Sequence, residues 1–174
     1  PQLRNRATIA GNLVTASPAN DTISALLALD ATVSLQSTAG RREVAIDEFF
    51  TGFRSTVLEP GELITAITLP ALTTADDGLW VKLGNRAAQA ISVIHLGIVV
   101  RREDGGRVRD ARLAIGSVAE RVVRVQEAEA VLLGSTLEPD AVKRAAAAVR
   151  DAVSPIDDVR ATAAYRTDLI PTLV

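Results

Sequence analysis

The sequence predicts an α+β chain, and three observations carry that expectation. Apolar and polar residues alternate on both sides of glycine turns in two separate regions, as they do in β-hairpins. Helical patterns cluster in the last third of the chain, after the second hairpin, so those strands and helices are segregated instead of interleaved. A length of 174 residues, 48% hydrophobic and 23% charged, is enough for one ordinary domain or two small ones sharing a face, each with its own core.

Gln2 to Val14 is polar and broken by small residues, and reads as an ordered loop. Asn20, Asp21 and Thr22 supply capping side chains, and Ile23, Leu26, Leu27 and Leu29 fall mainly on one face, which predicts a helix over Asp21 to Leu29. Thr32 to Ser37 and Glu43 to Ile46 alternate around an Ala39-Gly40 turn, and Leu63 to Leu69 supplies a third strand. Asp47 to Leu58 holds Phe49, Phe50 and Phe53 and reads as a packed loop or single helical turn whose rings fill the core.

Pro70 to Gly78 is polar and ends in Asp76-Asp77-Gly78, which marks the best domain boundary. The expected division is 1–75 and 76–174, with the second unit's ordered structure starting near Leu79. There, Ser92 to Arg102 and Val108 to Gly116 flank the turn Asp104-Gly105-Gly106 as a longer hairpin. A short helix from about Val125 stops at Gly134, an alanine-rich helix covers Pro139 to Val153, and a last helix covers Ala161 to Leu169. These helices are expected to cover one face of the sheet.

Composition excludes several functions. A net charge of -2 and a pI near 5.5 exert no pull toward nucleic acid or anionic membrane. No cysteine is present, so the chain can build no disulfide, iron-sulfur cluster or thiolate metal site. A single histidine, His95, gives no basis for a metal centre or a serine-histidine triad, and reads as a hydrogen-bonded structural residue. No run approaches the ~18 apolar residues of a membrane span, and no signal segment opens the chain, so the cytoplasm is the expected address. Pro1 begins the sequence without an initiator methionine, and the end at Ile170 to Val174 is apolar, so the chain reads as a fragment cut at both ends.

The informative stretch runs from Arg4 to Asp21. Ala10 and Gly11 leave the backbone bare for close approach of an anionic group, while Thr8, Asn12, Thr15 and Ser17 offer neutral hydrogen-bond partners. It lacks the three spaced glycines of the dinucleotide fingerprint. On spacing alone the plainer reading is a tight turn into a helix capped at Asn20 or Asp21, with a phosphate site as the alternative.

The string Arg4-Asn5-Arg6-Ala7-Thr8-Ile9-Ala10-Gly11-Asn12, followed by Ala16-Ser17-Pro18 and Asp21, resembles the second FAD-contact motif of molybdenum hydroxylase flavoproteins, the xanthine and carbon monoxide dehydrogenase family. Ala10 stands where the family usually has glycine. The resemblance continues through Phe49 to Thr56, the turn Glu59-Pro60-Gly61-Glu62-Leu63-Ile64, Lys82 with Gly84 to Ser92, and Tyr165-Arg166 in the last helix.

That resemblance implies the second half of a two-part FAD-binding domain of the PCMH or vanillyl-alcohol-oxidase-like type, followed by a flavoprotein C-terminal domain of antiparallel sheet and helices. It implies FAD contacts at Thr8, Ile9, Ala10, Gly11, Asn12, Asp21, Ile64 and Lys82, with no catalytic side chain and no metal ligand. Asp21 can equally be a helix N-cap, and Lys82, one of two lysines against seventeen arginines, can equally be a solvated strand charge. Molybdopterin and 2Fe-2S clusters are expected only in partners, a molybdopterin-binding large subunit and an iron-sulfur small subunit. The implied function is electron transfer from those centres through FAD to an acceptor. A preceding half-domain with its own glycine-containing loop is expected to complete the cleft, and the isolated fragment is expected to be inactive. The alternative is a flavoprotein module that serves only subunit assembly, without FAD.

Overall fold

A computed structural model describes residues 2 and 5–174. Pro1 and Leu3 lie outside the described residues, as does Arg4 at the head of the FAD-contact motif.

The first element corrects an expectation: helix α1 (Ile9–Val14) occupies the stretch read as a loop. Thr8 stands at its N-cap and accepts a 2.9 Å hydrogen bond from the Gly11 amide. Six residues cannot hold a helix by propensity, but Leu13 is fully buried and supplies the tertiary anchor. The chain leaves α1 through Ala16, at φ +44°, and enters helix α2 (Asp21–Ala28). Asn20 has the N-cap position of α2 but its side chain points back, donating to the Asn12 carbonyl at 2.6 Å and to Thr15 Oγ1 at 2.7 Å. The side chain expected to cap one helix therefore staples two together.

Strands β1 (Thr32–Ser37) and β2 (Gly40–Ala45) form the expected hairpin. The order of their sheet is β2-β1-β5, with β5 (Leu63–Thr68) on the other edge of β1. Between β2 and β5 come helix α3 (Ile46–Phe49) and the short pair β3 (Phe50–Gly52) and β4 (Ser55–Thr56). Phe49 and Phe50 are buried edge to face, their centroids 5.1 Å apart. Phe53 is not core, contrary to expectation: it sits in the β3-β4 turn, 61% exposed, with the Arg54 guanidinium 5.6 Å from its ring centre.

The second sheet has the order β6-β7-β8-β9, from β6 (Asp76–Gly84), β7 (Ser92–Arg102), β8 (Val108–Gly116) and β9 (Val123–Arg124). Strand β6 starts at Asp76 and not near Leu79, because the Asp76 carboxylate is gripped by Arg101 at 2.8 Å and by the Thr73 amide at 2.7 Å. Those bonds hold its pKa well below the usual carboxylate range. The pair Arg101-Arg102, which reads in the sequence as a solvated strand end, is instead paired with Asp76 and Asp77.

Both faces of this sheet are covered, where one was expected. Helices α4 (Gln126–Leu132), α5 (Pro139–Ala152) and α6 (Ala163–Leu173) pack on one face, over Ile94, Leu96, Leu113 and Ile115. Helix α2 packs on the other, against the middle of β7 and β8. That double cover explains why β7 is buried almost without alternation. Helix α6 also runs past the expected stop at Leu169, taking Pro171 into its last turn, where one missing amide donor is tolerated and Ile170 is fully buried. Among the described residues no helix is long and apolar enough to cross a membrane.

Candidate functional site

Asp21, the first residue of α2, and Lys82, near the end of β6, are brought together. Lys82 Nζ donates to Asp21 Oδ2 at 2.5 Å and to the Ala90 carbonyl at 2.7 Å. The other carboxylate oxygen of Asp21 accepts from Ser92 Oγ, also at 2.5 Å. Neither bland alternative holds: Asp21 makes no capping bond, and Lys82 is a half-buried, paired ammonium, not a solvated one. An ammonium has three donors, so one remains for the open side. Ser92 is fully buried; in the sequence it closes the stretch that resembles the family's but has no role of its own, since a serine at a strand start carries no distinguishing signal.

Thr8, Ile9, Ala10, Gly11 and Asn12 form the cap and first turn of α1. Ile9 is 55% exposed, and the first-turn amides of Ile9 and Ala10 have no acceptor within the helix. A Cβ added at Gly11 would stand 3.0 Å from Thr8 Oγ1, so a bare residue there preserves the cap. Asn12 Oδ1 accepts from the Thr22 hydroxyl, which leaves its amide nitrogen to donate outward. Through Asn12, Asn20 and Thr22 this turn is fixed to the start of α2, and hence to Asp21. Ile64 lies apart, half-buried on β5 opposite Leu35 and packed on the core beneath the first sheet.

Two clefts flank the segment 85–91. One, of about 770 Å³, is lined by Asp21, Lys82, Gly84, Arg86, Gln89 and Ala90. The other, of about 630 Å³, lies across the segment, between Ser17, Pro18, Phe53, Ile156, Arg160 and Arg166. The α1 turn and Ile64 line neither cleft.

Behind Lys82, Trp80 Nε1 donates to Ser24 Oγ at 3.0 Å, Ser24 Oγ lies 2.7 Å from His95 Nδ1, and His95 Nε2 lies 3.2 Å from the Pro18 carbonyl. Because a carbonyl only accepts, His95 carries its proton on Nε2 and takes the Ser24 hydroxyl at Nδ1. Burial pushes its pKa down, against the Pro18 hydrogen bond, which pulls it up. The histidine is a neutral structural bridge.

Arg166 enters the sequence reading only through the resemblance of the last helix, with no role attached, yet it is a central tether. It is 1% exposed and each guanidinium nitrogen is engaged: Nε on the Val93 carbonyl at 3.0 Å, Nη1 on the Ile156 carbonyl at 2.5 Å, Nη2 on Asp158 Oδ1 at 2.8 Å. Its spacing of four from buried Ile170 was the available signal, an arginine on the inward stripe of a helix. Burial raises the Asp158 pKa, but hydrogen bonds from Arg160 and Arg166 outweigh it and hold the group below its usual range.

The donor set fits one side of a flavin nucleotide. Bare, exposed first-turn amides with a neighbouring hydroxyl and carboxamide suit a phosphate linker, and a half-buried ammonium on a cleft wall suits an electron-rich ring.

Comparison with known proteins points the same way. Residues 1–72 match the family described as the FAD binding domain in molybdopterin dehydrogenase, and residues 80–174 match the CO dehydrogenase flavoprotein C-terminal domain. The nicotine 6-hydroxylase medium subunit of Paenarthrobacter nicotinovorans is 33% identical over 174 residues, spanning 100% of this chain and 60% of that protein. The carbon monoxide dehydrogenase medium chain of Afipia carboxidovorans is 34% identical over 173 residues, 97% of this chain and 58% of that one. A structure of the carbon monoxide dehydrogenase of Hydrogenophaga pseudoflava superposes with a TM-score of 0.93 at 34% identity, over 99% of this chain and 60% of that one. The chain thus spans about 60% of the length of these relatives.

Proposed function

This chain belongs to the FAD-binding medium-subunit family of molybdenum hydroxylases, and from that premise we propose that it is part of an electron-transfer flavoprotein subunit of a multi-subunit oxidoreductase. Residues 1–75 form the second subdomain of the FAD-binding domain, and residues 76–174 the C-terminal domain. Thr8, Ile9, Ala10, Gly11, Asn12, Asp21, Ile64 and Lys82 contact FAD. The partners are a molybdopterin-binding large subunit and an iron-sulfur small subunit, and the assembly works in the cytoplasm. The isolated fragment is inactive, because the cleft needs a second wall from a preceding half-domain.

The observation that carries this reading is the Lys82–Asp21 pair on the wall of an open cleft, tied through Asn12 and Thr22 to the exposed first turn of α1. FAD, when bound, would supply the redox chemistry, taking electrons from the molybdenum and iron-sulfur centres of the partners and passing them to an acceptor. The residues of this chain supply placement and charge. The α1 amides and Thr8 hold the phosphate linker, the Asn12 carboxamide donates to an oxygen of the chain beside it, and Ile64 gives an apolar contact. Lys82 favours negative charge gathering on the ring, while Asp21 moderates that field and fixes the ammonium in position. No side chain here acts as acid or base toward a substrate.

The test is the combined variant Asn12→Ala, Lys82→Ala in the assembled enzyme, measured for FAD content and anaerobic flavin reduction. Two lost charge- or amide-type hydrogen bonds amount to about 2–4 kcal/mol, or ~30- to 1,000-fold in FAD affinity. Wild-type FAD loading together with wild-type reduction would reject the site.

A further inference from the structure

The segment 85–91 separates the two clefts and has no regular secondary structure. Its internal bonds are local, from the Arg86 guanidinium to the Gln89 carbonyl at 2.6 and 3.2 Å, and Gln89 has φ +53°. Among the described residues, two hydrogen bonds attach it to the rest of the molecule. One is Lys82 Nζ to the Ala90 carbonyl at 2.7 Å. The other is Asn85 Nδ2 to the Arg160 carbonyl at 3.1 Å, a contact across 75 positions of sequence.

The second attachment ends on a rigid body. Asp158 accepts from the Arg160 amide at 2.8 Å and from its guanidinium at 2.5 Å, while the Asp158 amide donates to the Ala161 carbonyl at 3.0 Å. Arg166, buried in α6, clamps that turn to the start of β7. The carbonyl that receives Asn85 therefore cannot drift without breaking a buried ion pair. At the other end of the segment, the Ala90 carbonyl is, among the described residues, one of two acceptors that fix the Lys82 ammonium, the second being Asp21. An ammonium on a four-carbon stem goes where its acceptors are.

We propose that Asn85 is a positioning residue: by tying the segment 85–91 to the Arg160 carbonyl, it holds the Ala90 carbonyl in place and so aims the Lys82 ammonium at the cofactor cleft. The inference rests on the reading of Lys82 as a flavin contact. The C-terminal helix, far from the α1 turn in sequence, thereby sets the field that the ring experiences. Asn85 itself borders both clefts, but its side-chain hydrogen bond goes to Arg160 and not to the α1 turn or Asp21, so its effect on Lys82 passes through the segment; the Lys82→Ala background separates that effect from any direct contact of Asn85 with the cofactor.

The experiment uses the assembled full-length enzyme and compares Asn85→Ala, Asn85→Asp, Lys82→Ala and the double variant Asn85→Ala, Lys82→Ala. Flavin midpoint potential, FAD dissociation constant and melting temperature are read for each. Asn85 is exposed, so its variants are expected to melt as the parent does. Asn85→Ala should move the midpoint in the same negative direction as Lys82→Ala and weaken FAD binding about two- to tenfold, the range of one lost hydrogen bond. Asn85→Asp keeps the size and loses the donor, and should move the midpoint at least as far in the negative direction, since its carboxylate on the cleft wall adds to the effect. In the Lys82→Ala background, Asn85→Ala should add nothing, because the coupling passes through the ammonium. A midpoint that moves with Lys82→Ala but not with either Asn85 variant, or Asn85 and Lys82 effects that simply add, overturns the inference and leaves the cofactor reading standing. No shift in any variant overturns both.

Discussion

Lys82 Nζ stands 2.5 Å from Asp21 Oδ2, joining an edge strand of the second sheet to the first turn of α2 across 61 positions of chain. The side chains are 22% and 38% exposed, so solvent screening leaves the pair little to contribute to folding, within about 1 kcal/mol. Its consequence is electrostatic and has a sign. With the carboxylate neutralised in Asp21→Asn, the ammonium acts uncompensated, and a flavin beside it should become easier to reduce. With the ammonium removed in Lys82→Ala, the flavin should become harder to reduce. Spectroelectrochemical titration of the assembled enzyme should find opposite shifts, each of about 30 mV for a tenfold change in a two-electron equilibrium. Shifts of the same sign would mean that the pair acts through shape and not charge.

The hairpins, the last two long helices and the first turn of α2 are legible in the sequence because each rests on local pattern: period-two alternation, glycine turns and capping residues. What was illegible is non-local. Helix α1 depends on the burial of Leu13, and no six-residue window announces a tertiary anchor. The second cover of the β6–β9 sheet depends on α2, whose Ser24 meets His95 across 71 positions of chain, which the long buried run of β7 hinted at without saying what would lie there. In the candidate site, the resemblance pointed to the α1 turn and Lys82 and ran through Ser92 and Arg166, but the last two received no role because their partners are backbone carbonyls and a distant carboxylate. Phe53 was misplaced because an aromatic ring in a two-strand turn has the same local sequence as one in a core.

Gly97 shows how close α2 lies on β7. A Cβ there would meet the Ser24 carbonyl oxygen at 2.7 Å, its carbon at 2.9 Å and the Ala25 amide nitrogen at 3.2 Å, all of them main-chain atoms that cannot swing away. Gly97→Ala should cost about 1–3 kcal/mol, the range for overpacking a filled interior. Gly78→Ala is the control, since its Cβ would find nothing nearer than 3.8 Å, and it should leave the melting temperature close to that of the parent. Equal melting of the two variants would show that helix and sheet separate without cost.

His95 predicts how stability responds to acid. Its folded-state pKa is lowered by burial, while the unfolded chain keeps the ordinary value of about 6.5. The unfolded state therefore binds the extra proton first, so the contribution is fully present above the unfolded pKa and is lost as pH falls below it, by at most about 1.4 kcal/mol per pH unit. Asp21 favours the charged imidazole and Lys82 opposes it, so the two partly cancel. Melting temperature measured from pH 8 to 5 should fall more steeply in the parent than in His95→Gln, which keeps a donor and an acceptor but cannot titrate. Gly116→Ala should destabilise at neutral pH by a different route, because its Cβ would stand 2.0 Å from His95 Nε2 and force the ring off the Pro18 carbonyl, a bond that protonation at Nδ1 leaves in place. Parallel pH profiles in parent and His95→Gln would assign the acid sensitivity elsewhere.

Glu129 links the helices to the sheet by a different device. It is 8% exposed in α4, and its Oε1 accepts both from the Leu113 amide in β8 at 2.8 Å and from Arg124 Nε at 2.7 Å. The Leu113 amide is buried, so truncating the acceptor strands a backbone donor where water cannot reach it, and Arg124 loses one of two carboxylates, keeping Asp30. Glu129→Ala should therefore cost about 2–3 kcal/mol, most of it from the amide. Glu129→Gln separates the two parts: its carbonyl can still accept from Leu113, and only the charge facing a partly exposed Arg124 is gone, so about 1 kcal/mol or less should be lost. A double-mutant cycle with Arg124→Met then isolates the ion pair. Glu129→Ala should remain strongly destabilising in the Arg124→Met background, and if it became harmless there, the salt bridge and not the buried amide would be what Glu129 serves.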